Sequence, residues 1–382
     1  MPSTQTKQAF YIFSGGMLKR RENTIHFVPN ADQTEQTIEQ AKDMGHIESP
    51  EEAFDLAEAK EELNTKDRRA IPVQNVDAFY VFGDIRFNSR FLNFLTQHQI
   101  PLHLFNYYGY YSGTYYPRDY LISGFVTVHQ VKHYLSNTKR LHLARLFVEG
   151  AAHNILKNLK YYAVESRISG FNEHEIAKLQ ALIQKIEAFS GTLIEAGDIP
   201  TLMGLEGNIR QLYYDAWAIL LKTGYPTFEF DKRVKRPPNN AINALISFGN
   251  SLMYSATLTE IYRTQLLPTI SYLHEPSERR FSLALDIAEI FKPIMVDRII
   301  FRLVNTKTLQ AKHFSTALNF CHLNDAGRKI FIKEFEEKTR TTIKHRGLNR
   351  QVSYRRMIRL ECYKLIKHLL NEKPYEPFKI WW

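Results

Sequence analysis

With 382 residues, 44% of them hydrophobic and 24% charged, the chain has apolar mass for two packed domains and is neither a disordered tail nor a small disulfide-stapled module. Its formal charge of +10 makes acidic polymers the natural partners, and 21 tyrosines offer stacking surfaces for bases. Two cysteines, Cys321 and Cys362, fit neither a disulfide framework nor a zinc finger, and no apolar run reaches the roughly 18 residues of a membrane span, so the expectation is a cytoplasmic protein with no membrane partner.

Taken in order, residues 8–28 read as a β meander: AFYIF, MLKR and TIHFV, separated by Gly15-Gly16 and Glu22-Asn23. Residues 31–69 break the pattern. TEQTIEQAKDM and SPEEAFDLAEAKEEL read as two helices, the second capped by Ser49 with Pro50 in its first turn, and twelve acids stand against three lysines between Ala31 and Asp67. From Ile71 the β character resumes, with strands in IPVQNVDAFYVFG, a helix in SRFLNFLTQHQ, a strand in IPLHLF and a hairpin in NYYGYYSGTYY. The hairpin tyrosines Tyr107, Tyr108, Tyr110, Tyr111, Tyr115 and Tyr116 are expected to cover a sheet face or a dimer interface rather than to stack on nucleic acid, with the interface favoured. After Pro117 the hydrophobic period becomes helical, predicting helices over 127–167, 172–190, 201–222, 238–263, 282–304, 307–321, 324–339 and 353–370. The expected fold class is α+β: a small β-rich domain over 1–118, carrying an acidic helical insertion at 31–69, followed by a larger all-α domain over 119–382.

Two stretches carry candidate chemistry. In Ser271–Leu303, His274 precedes a helix on which Asp286 and Glu289, three residues apart, project from one face. Two carboxylates beside an imidazole suit a hard divalent cation without any need for thiolates; the competing reading is a solvated helix start. The second stretch, TLMGLEGNIRQLYYDAWAILL, aligns Glu206, Arg210, Tyr213, Tyr214 and Trp217 in one helical stripe. There Glu206 is either a metal ligand or the partner of Arg210, and spacing alone favours the ion pair.

The segments EGNIRQLYYDAW, RVKRPPNNAINALISFGNSLMYSAT and LHEPSERRFSLALDIAEIFKPIMVDRIIFRL, in that order and spacing, resemble the CRISPR-associated integrase family Cas one, the spacer-acquisition endonuclease. The opening YIFSGGMLKRRENTIHF, the IPVQNVDAFYVFG to YYPR segment and the closing EKPYEPFKIWW are similar to the branch found with type I-B systems, so only 31–69 falls outside the resemblance. The resemblance implies that Glu206, His274 and Glu289 bind one catalytic Mg2+ or Mn2+. Because many members carry aspartate where this chain has Glu289, either Asp286 or Glu289 could touch the metal. It implies attack by a prespacer 3′-hydroxyl on a strand at the end of a CRISPR repeat, with hydrolytic nicking at the same site. Tyr213 and Tyr214 would order the nucleophile or the displaced strand, and Arg233, Lys235, Arg236, Asn240 and Asn243 would grip phosphates, unless PPNN is simply a helix start and Asn243 a cap. A second basic zone from Lys338 to Arg359 holds Arg340, Lys344, His345, Arg346, Arg350, Arg355, Arg356 and Arg359, opposite a buried side of Ile358, Cys362, Leu365 and Leu369.

The implied partners are a second copy of the chain, forming a homodimer through the β-rich domain, a Cas two dimer bridging two such homodimers, and double-stranded prespacer and repeat DNA. Tyr375, Phe378, Trp381 and Trp382 would contact that partner or complete the core. Two alternatives stand beside this reading: a non-catalytic DNA-binding or structural subunit, and a casposase-like transposon integrase. Casposases commonly append a DNA-binding domain, and the end of this chain at Trp382 is expected to favour CRISPR adaptation.

Overall fold

A computed structural model describes residues 7–30, 69–166, 171–221, 226–235, 237–276, 281–317, 320–345 and 347–381. The acidic helices expected in 31–69 lie outside the described residues, apart from Arg69, which opens a strand. The chain divides into two compact units, one of residues 1–107 and 111–120, the other of 108–110 and 121–382. Among the described residues no helix is long and apolar enough to cross a membrane.

The first unit holds two four-stranded sheets. One orders β1 (Gln8–Ile12), β5 (Val76–Val81), β7 (Leu102–Phe105) and β8 (Tyr111–Tyr115); the other orders β4 (Arg69–Pro72), β3 (Thr24–Pro29), β2 (Gly16–Arg21) and β6 (Ile85–Phe87). The expected meander is therefore corrected: β2 and β3 form a hairpin, but β1 leaves them to run parallel to β5. Gly16 marks the departure, since a Cβ there would collide with the Val28 carbonyl and the Phe27 ring. Helix α1 (Ser89–Gln97) starts at Asn88, whose side chain accepts from Phe91 N at 3.0 Å, and buries Phe91, Phe94 and Leu95 against Leu18, Ile25, Phe79 and Leu102. Tyr115, partly buried, donates to Leu92 O at 3.1 Å and meets Thr96 Oγ1 at 2.6 Å, tying β8 to α1, whereas Tyr107 is 73% exposed.

The second unit is largely helical. Its helices are α2 (Gly124–Leu135), α3 (Asn137–Ser166), α4 (Glu173–Thr192), α5 (Ile199–Leu220), α6 (Ala241–Tyr262), α7 (Ser282–Lys292), α8 (Arg298–Asn305), α9 (Asp325–Arg340) and α10 (Tyr354–Leu369). Two findings depart from an all-α domain. The segment expected as a helix over 307–321 is a 3-10 turn followed by a hairpin of β9 (Phe314–Ala317) and β10 (Phe320–Leu323), and a second hairpin joins β11 (Thr342–His345) to β12 (Arg350–Ser353). The expected helix over 127–167 also breaks at Ser136, between α2 and α3.

Helix α6 is buried along nearly its whole length, as a helix apolar on all sides must be, and its Ser and Thr hydroxyls bond back to carbonyls four residues earlier. It packs on α7 and α10, while α3 packs on α5 and α7, so α7 lies at the centre. Pro293 has no N–H for the carbonyl of Glu289, and the helix passes through a π turn at Pro293–Asp297 before α8 resumes. Gly249 of α6 admits that turn: a Cβ there would strike Val296 and Phe331.

Candidate active site

His274 sits in the loop before α7, and that loop is held from several sides. Gln130 of α2, fully buried, donates to the carbonyls of Leu267 and Ile270 at 2.9 and 3.0 Å and accepts from Leu267 N at 3.0 Å. Arg140 of α3 donates to Tyr272 O at 3.0 Å and pairs with Glu275, which also accepts from Tyr134 at 2.9 Å. From α7, Asp286 supplies the central anchor. Its carboxylate, 0% exposed, accepts from the backbone N–H of Tyr272, Leu273 and His274 at 2.7, 3.0 and 3.0 Å, and from His274 Nδ1 at 2.8 Å. A proton on Nδ1 leaves the lone pair on Nε2, the tautomer a metal-binding histidine needs when a carboxylate backs it. With both its oxygens spent on the loop and the ring, Asp286 orients His274.

Glu206 on α5 and Glu289 on α7 are joined by Arg210. Arg210 Nε donates to Glu206 Oε1 at 2.5 Å, while its Nη2 pairs with Glu289 Oε2; on the other oxygen of Glu289, Lys292 Nζ donates at 2.5 Å. The ion pair that spacing favours for Glu206 is present, and it extends to the helix carrying the second candidate ligand. Burial pushes the Glu206 carboxyl up, but Arg210, then Lys292 and His274, outweigh it and hold the group below its usual range. Burial first, and Arg210 second, pull Lys292 down to about 7. Beneath the cluster, Asp297 is pushed up to about 7 by burial, against the pull of Arg210; its Oδ2 accepts from Tyr213 OH at 3.0 Å.

Among the described residues no three His, Cys, Asp or Glu side chains converge tightly enough to share an ion. The donor set nonetheless suits one: two carboxylates, on helices joined by the Arg210–Glu289 pair, and an imidazole whose Nδ1 is held by Asp286.

The expected DNA contacts separate into two groups. Lys235 and Arg350 are exposed. Arg233 is turned inward, donating to Asn243 Oδ1 at 3.0 Å and Ser247 Oγ at 2.9 Å. Asn240 caps α6 by accepting from Asn243 N at 2.8 Å, and Asn243, fully buried, bridges Val234 N, Lys232 O and Asn239. The helix-start reading of PPNN thus accounts for both asparagines. Tyr213 is fully buried and Tyr214 half-buried, and Arg355 is committed to Glu336 at 2.9 Å. Arg236, Arg346 and Trp382 lie outside the described residues. Tyr375 and Phe378 are buried in the core. Sequence reasoning passed over Lys292, Asp297, Gln130 and Arg140. A signal existed for the first two: they are charged residues inside the apolar run IFKPIMVD, and such charges are buried only with partners.

Residues 44–337 match the sequence model of the family described as CRISPR associated protein Cas1. The chain belongs to the Cas1 family. It is 47% identical over 375 residues to CRISPR-associated endonuclease Cas1 2 of Moorella thermoacetica, covering 98% of this chain and 100% of that protein. CRISPR-associated endonuclease Cas1 of Fusobacterium nucleatum is 43% identical over 376 residues, covering 98% and 97%. The Cas1 protein of Thermotoga maritima superposes with a TM-score of 0.77 at 38% identity, over 96% of this chain and 99% of that one, and shares the succession of β-rich and helical parts. A casposase bound to its integration product gives a TM-score of 0.75 over 98% of this chain and 94% of that one; at 16% identity this shows a common fold alone. With Cas1 endonucleases matching from end to end, the chain is an enzyme of this nuclease and integrase family.

Proposed function

We propose that the chain joins prespacer 3′-hydroxyl ends into a CRISPR array, using Mg2+ or Mn2+ held by Glu206, His274 and Glu289, with Asp286 fixing the His274 tautomer. The observation that carries the reading is the backed imidazole: His274 Nδ1 on Asp286 at 2.8 Å, in a loop anchored by three backbone bonds to the same carboxylate. A bound ion would polarise the scissile phosphodiester and lower the pKa of the attacking hydroxyl. The protein's own part is to hold the donor atoms across α5 and α7 and to bring Lys235 and Arg350 to phosphates. In the reaction the donor 3′-oxygen forms the new P–O bond, and the repeat strand's 3′-oxygen leaves and takes up a proton. One phosphodiester replaces another, so no energy source is required, and water in place of the hydroxyl gives nicking.

On this reading the N-terminal unit pairs two copies into a homodimer, and the complex acts on double-stranded DNA in the cytoplasm. A Cas6-RT-Cas1–Cas2 complex shares the fold at a TM-score of 0.76 and 15% identity, covering 100% of this chain and 37% of that one. We take a Cas2 dimer as the bridge between homodimers. The test is strand transfer of a 3′-hydroxyl oligonucleotide into a supercoiled repeat-bearing plasmid with Mg2+ or Mn2+ and the Cas2 partner. Wild type should give joined product, His274→Ala should reduce it by at least about 100-fold, and a 3′-dideoxy donor should give none. Undiminished joining by His274→Ala would remove the imidazole from the mechanism and leave the binding-subunit reading in its place.

A further inference from the structure

The ion network around Glu289 has more charge organisation than a pair of metal ligands needs. Two carboxylates, Glu206 and Glu289, are matched by two cations, Arg210 and Lys292, all four side chains at most 25% exposed. Both oxygens of Glu289 are occupied, one by each cation. A third carboxylate, Asp297, 5% exposed, ends the π turn that follows Lys292 and accepts from Tyr213 of α5, the helix that carries Glu206 and Arg210. With Lys292 protonated, the four-membered network is neutral. A divalent ion added to it would place two further positive charges in a region poorly screened by water, a cost that falls only if a cation moves away or another anion answers it.

We infer that Lys292 and Arg210 are built-in counter-ions that hold Glu206 and Glu289 together before an ion arrives, that divalent-ion binding must displace Lys292 from Glu289, and that Asp297 neutralises the charge so released. The inference rests on the metal-binding reading above. Lys292 is thereby a positioning residue that competes with the ion for the same carboxylate, and Asp297 is one that favours the ion without touching it. The two lie in sequence where the helix changes register: Lys292 ends α7 and Asp297 ends the π turn.

The deciding measurement is Mn2+ affinity of the full-length protein without DNA, by calorimetric titration and by the loss of the free-ion electron paramagnetic resonance signal. Lys292→Met keeps the aliphatic stem and removes the charge, and should tighten Mn2+ binding by about 5- to 10-fold, the effect of removing one nearby charge. Lys292→Arg should leave it within about twofold. Asp297→Asn, nearly the same size, should weaken binding several-fold, an independent readout should Lys292→Met fold poorly. Glu289→Gln and His274→Ala separate this inference from the reading beneath it. If either binds Mn2+ as wild type does, the metal site itself is misassigned. If both lose Mn2+ while Lys292→Met binds no more tightly than wild type and Asp297→Asn no more weakly, the site stands and the counter-ion exchange is overturned.

Discussion

Asp286 shows how much one side chain can be asked to do. Its carboxylate ends three backbone N–H groups of the 272–274 loop and orients the His274 ring, all without solvent exposure. Replacing it with asparagine puts an NH2 group against N–H donors, a mismatch worth about 1–3 kcal/mol in a buried site, and removes the charge that makes the imidazole a strong ligand. Asp286→Asn should therefore lower urea-unfolding stability by that amount and weaken Mn2+ binding by about 10- to 100-fold. A stability loss with unchanged affinity would reduce Asp286 to a loop anchor. The sequence made His274, Asp286 and Glu289 visible because they lie within sixteen residues, and two of them share a helical face. It left the division of labour open, since only the loop's return onto α7 decides which acid is spent on backbone. Glu206–Arg210 was legible as an i,i+4 pair; its extension to Glu289 was not, because that contact joins helices 79 residues apart in the chain, counting from Arg210 to Glu289.

At the scale of elements, α7 is braced by the chain's last described residues. Asn154 of α3 donates to Ile290 O at 2.8 Å and Phe378 O at 3.1 Å and accepts from Ile380 N at 2.9 Å, while the Phe378 ring stacks on Phe291 at 5.3 Å. Glu361 of α10 accepts from Tyr375 OH at 2.6 Å and Phe378 N at 2.9 Å. The same strap begins at a histidine cluster: His368 Nδ1 accepts from Tyr375 N at 3.1 Å, with its ring 5.6 Å from that of His133 and 5.7 Å from that of His142. Burial first, then His133, His142 and Lys139, pulls His368 down to about 4. A proton on Nδ1 would also meet the Tyr375 N–H head-on. Unfolded His368 titrates near its ordinary value of 6.5 and the folded one near 4, so its contribution is fully present above pH 6.5 and is lost as pH falls from there toward 4. Thermal melts should show the midpoint falling across that window, with a shallower fall in His368→Gln; an equal fall in both would clear His368 of the effect. The buried side of α10, Ile358, Cys362, Leu365 and Leu369, was readable from its period. The β9–β10 hairpin was not: FSTALNFCHL is a short apolar run that periodicity cannot assign to helix or strand. Nor was the parallel pairing of β1 with β5, since local patterns favour sequential neighbours and that partner lies more than 60 residues on.

For the whole molecule the uneven charge is the lever. Between Ala31 and Asp67 the chain carries a net −9, so the remainder carries +19 against the overall +10. The flanks of this segment are neighbours: β3 and β4 are antiparallel, with Phe27 opposite Arg69 and Thr24 opposite Pro72. A four-residue Asn/Gly turn in place of the segment would therefore keep the strand register while shortening the loop, a change that costs little entropy. Removing residues 31–67 in this way should leave the protein folded and its Mg2+- or Mn2+-dependent nicking in place. The same change should strengthen binding to non-specific duplex DNA by several-fold at low ionic strength, because nine fewer net negative charges oppose the phosphates, and the gain should shrink as salt rises. Fluorescence anisotropy across a salt series measures it. Unchanged affinity would mean that the acidic segment lies beyond the reach of bound DNA, and loss of folding would make it part of the N-terminal unit's core rather than an addition to it.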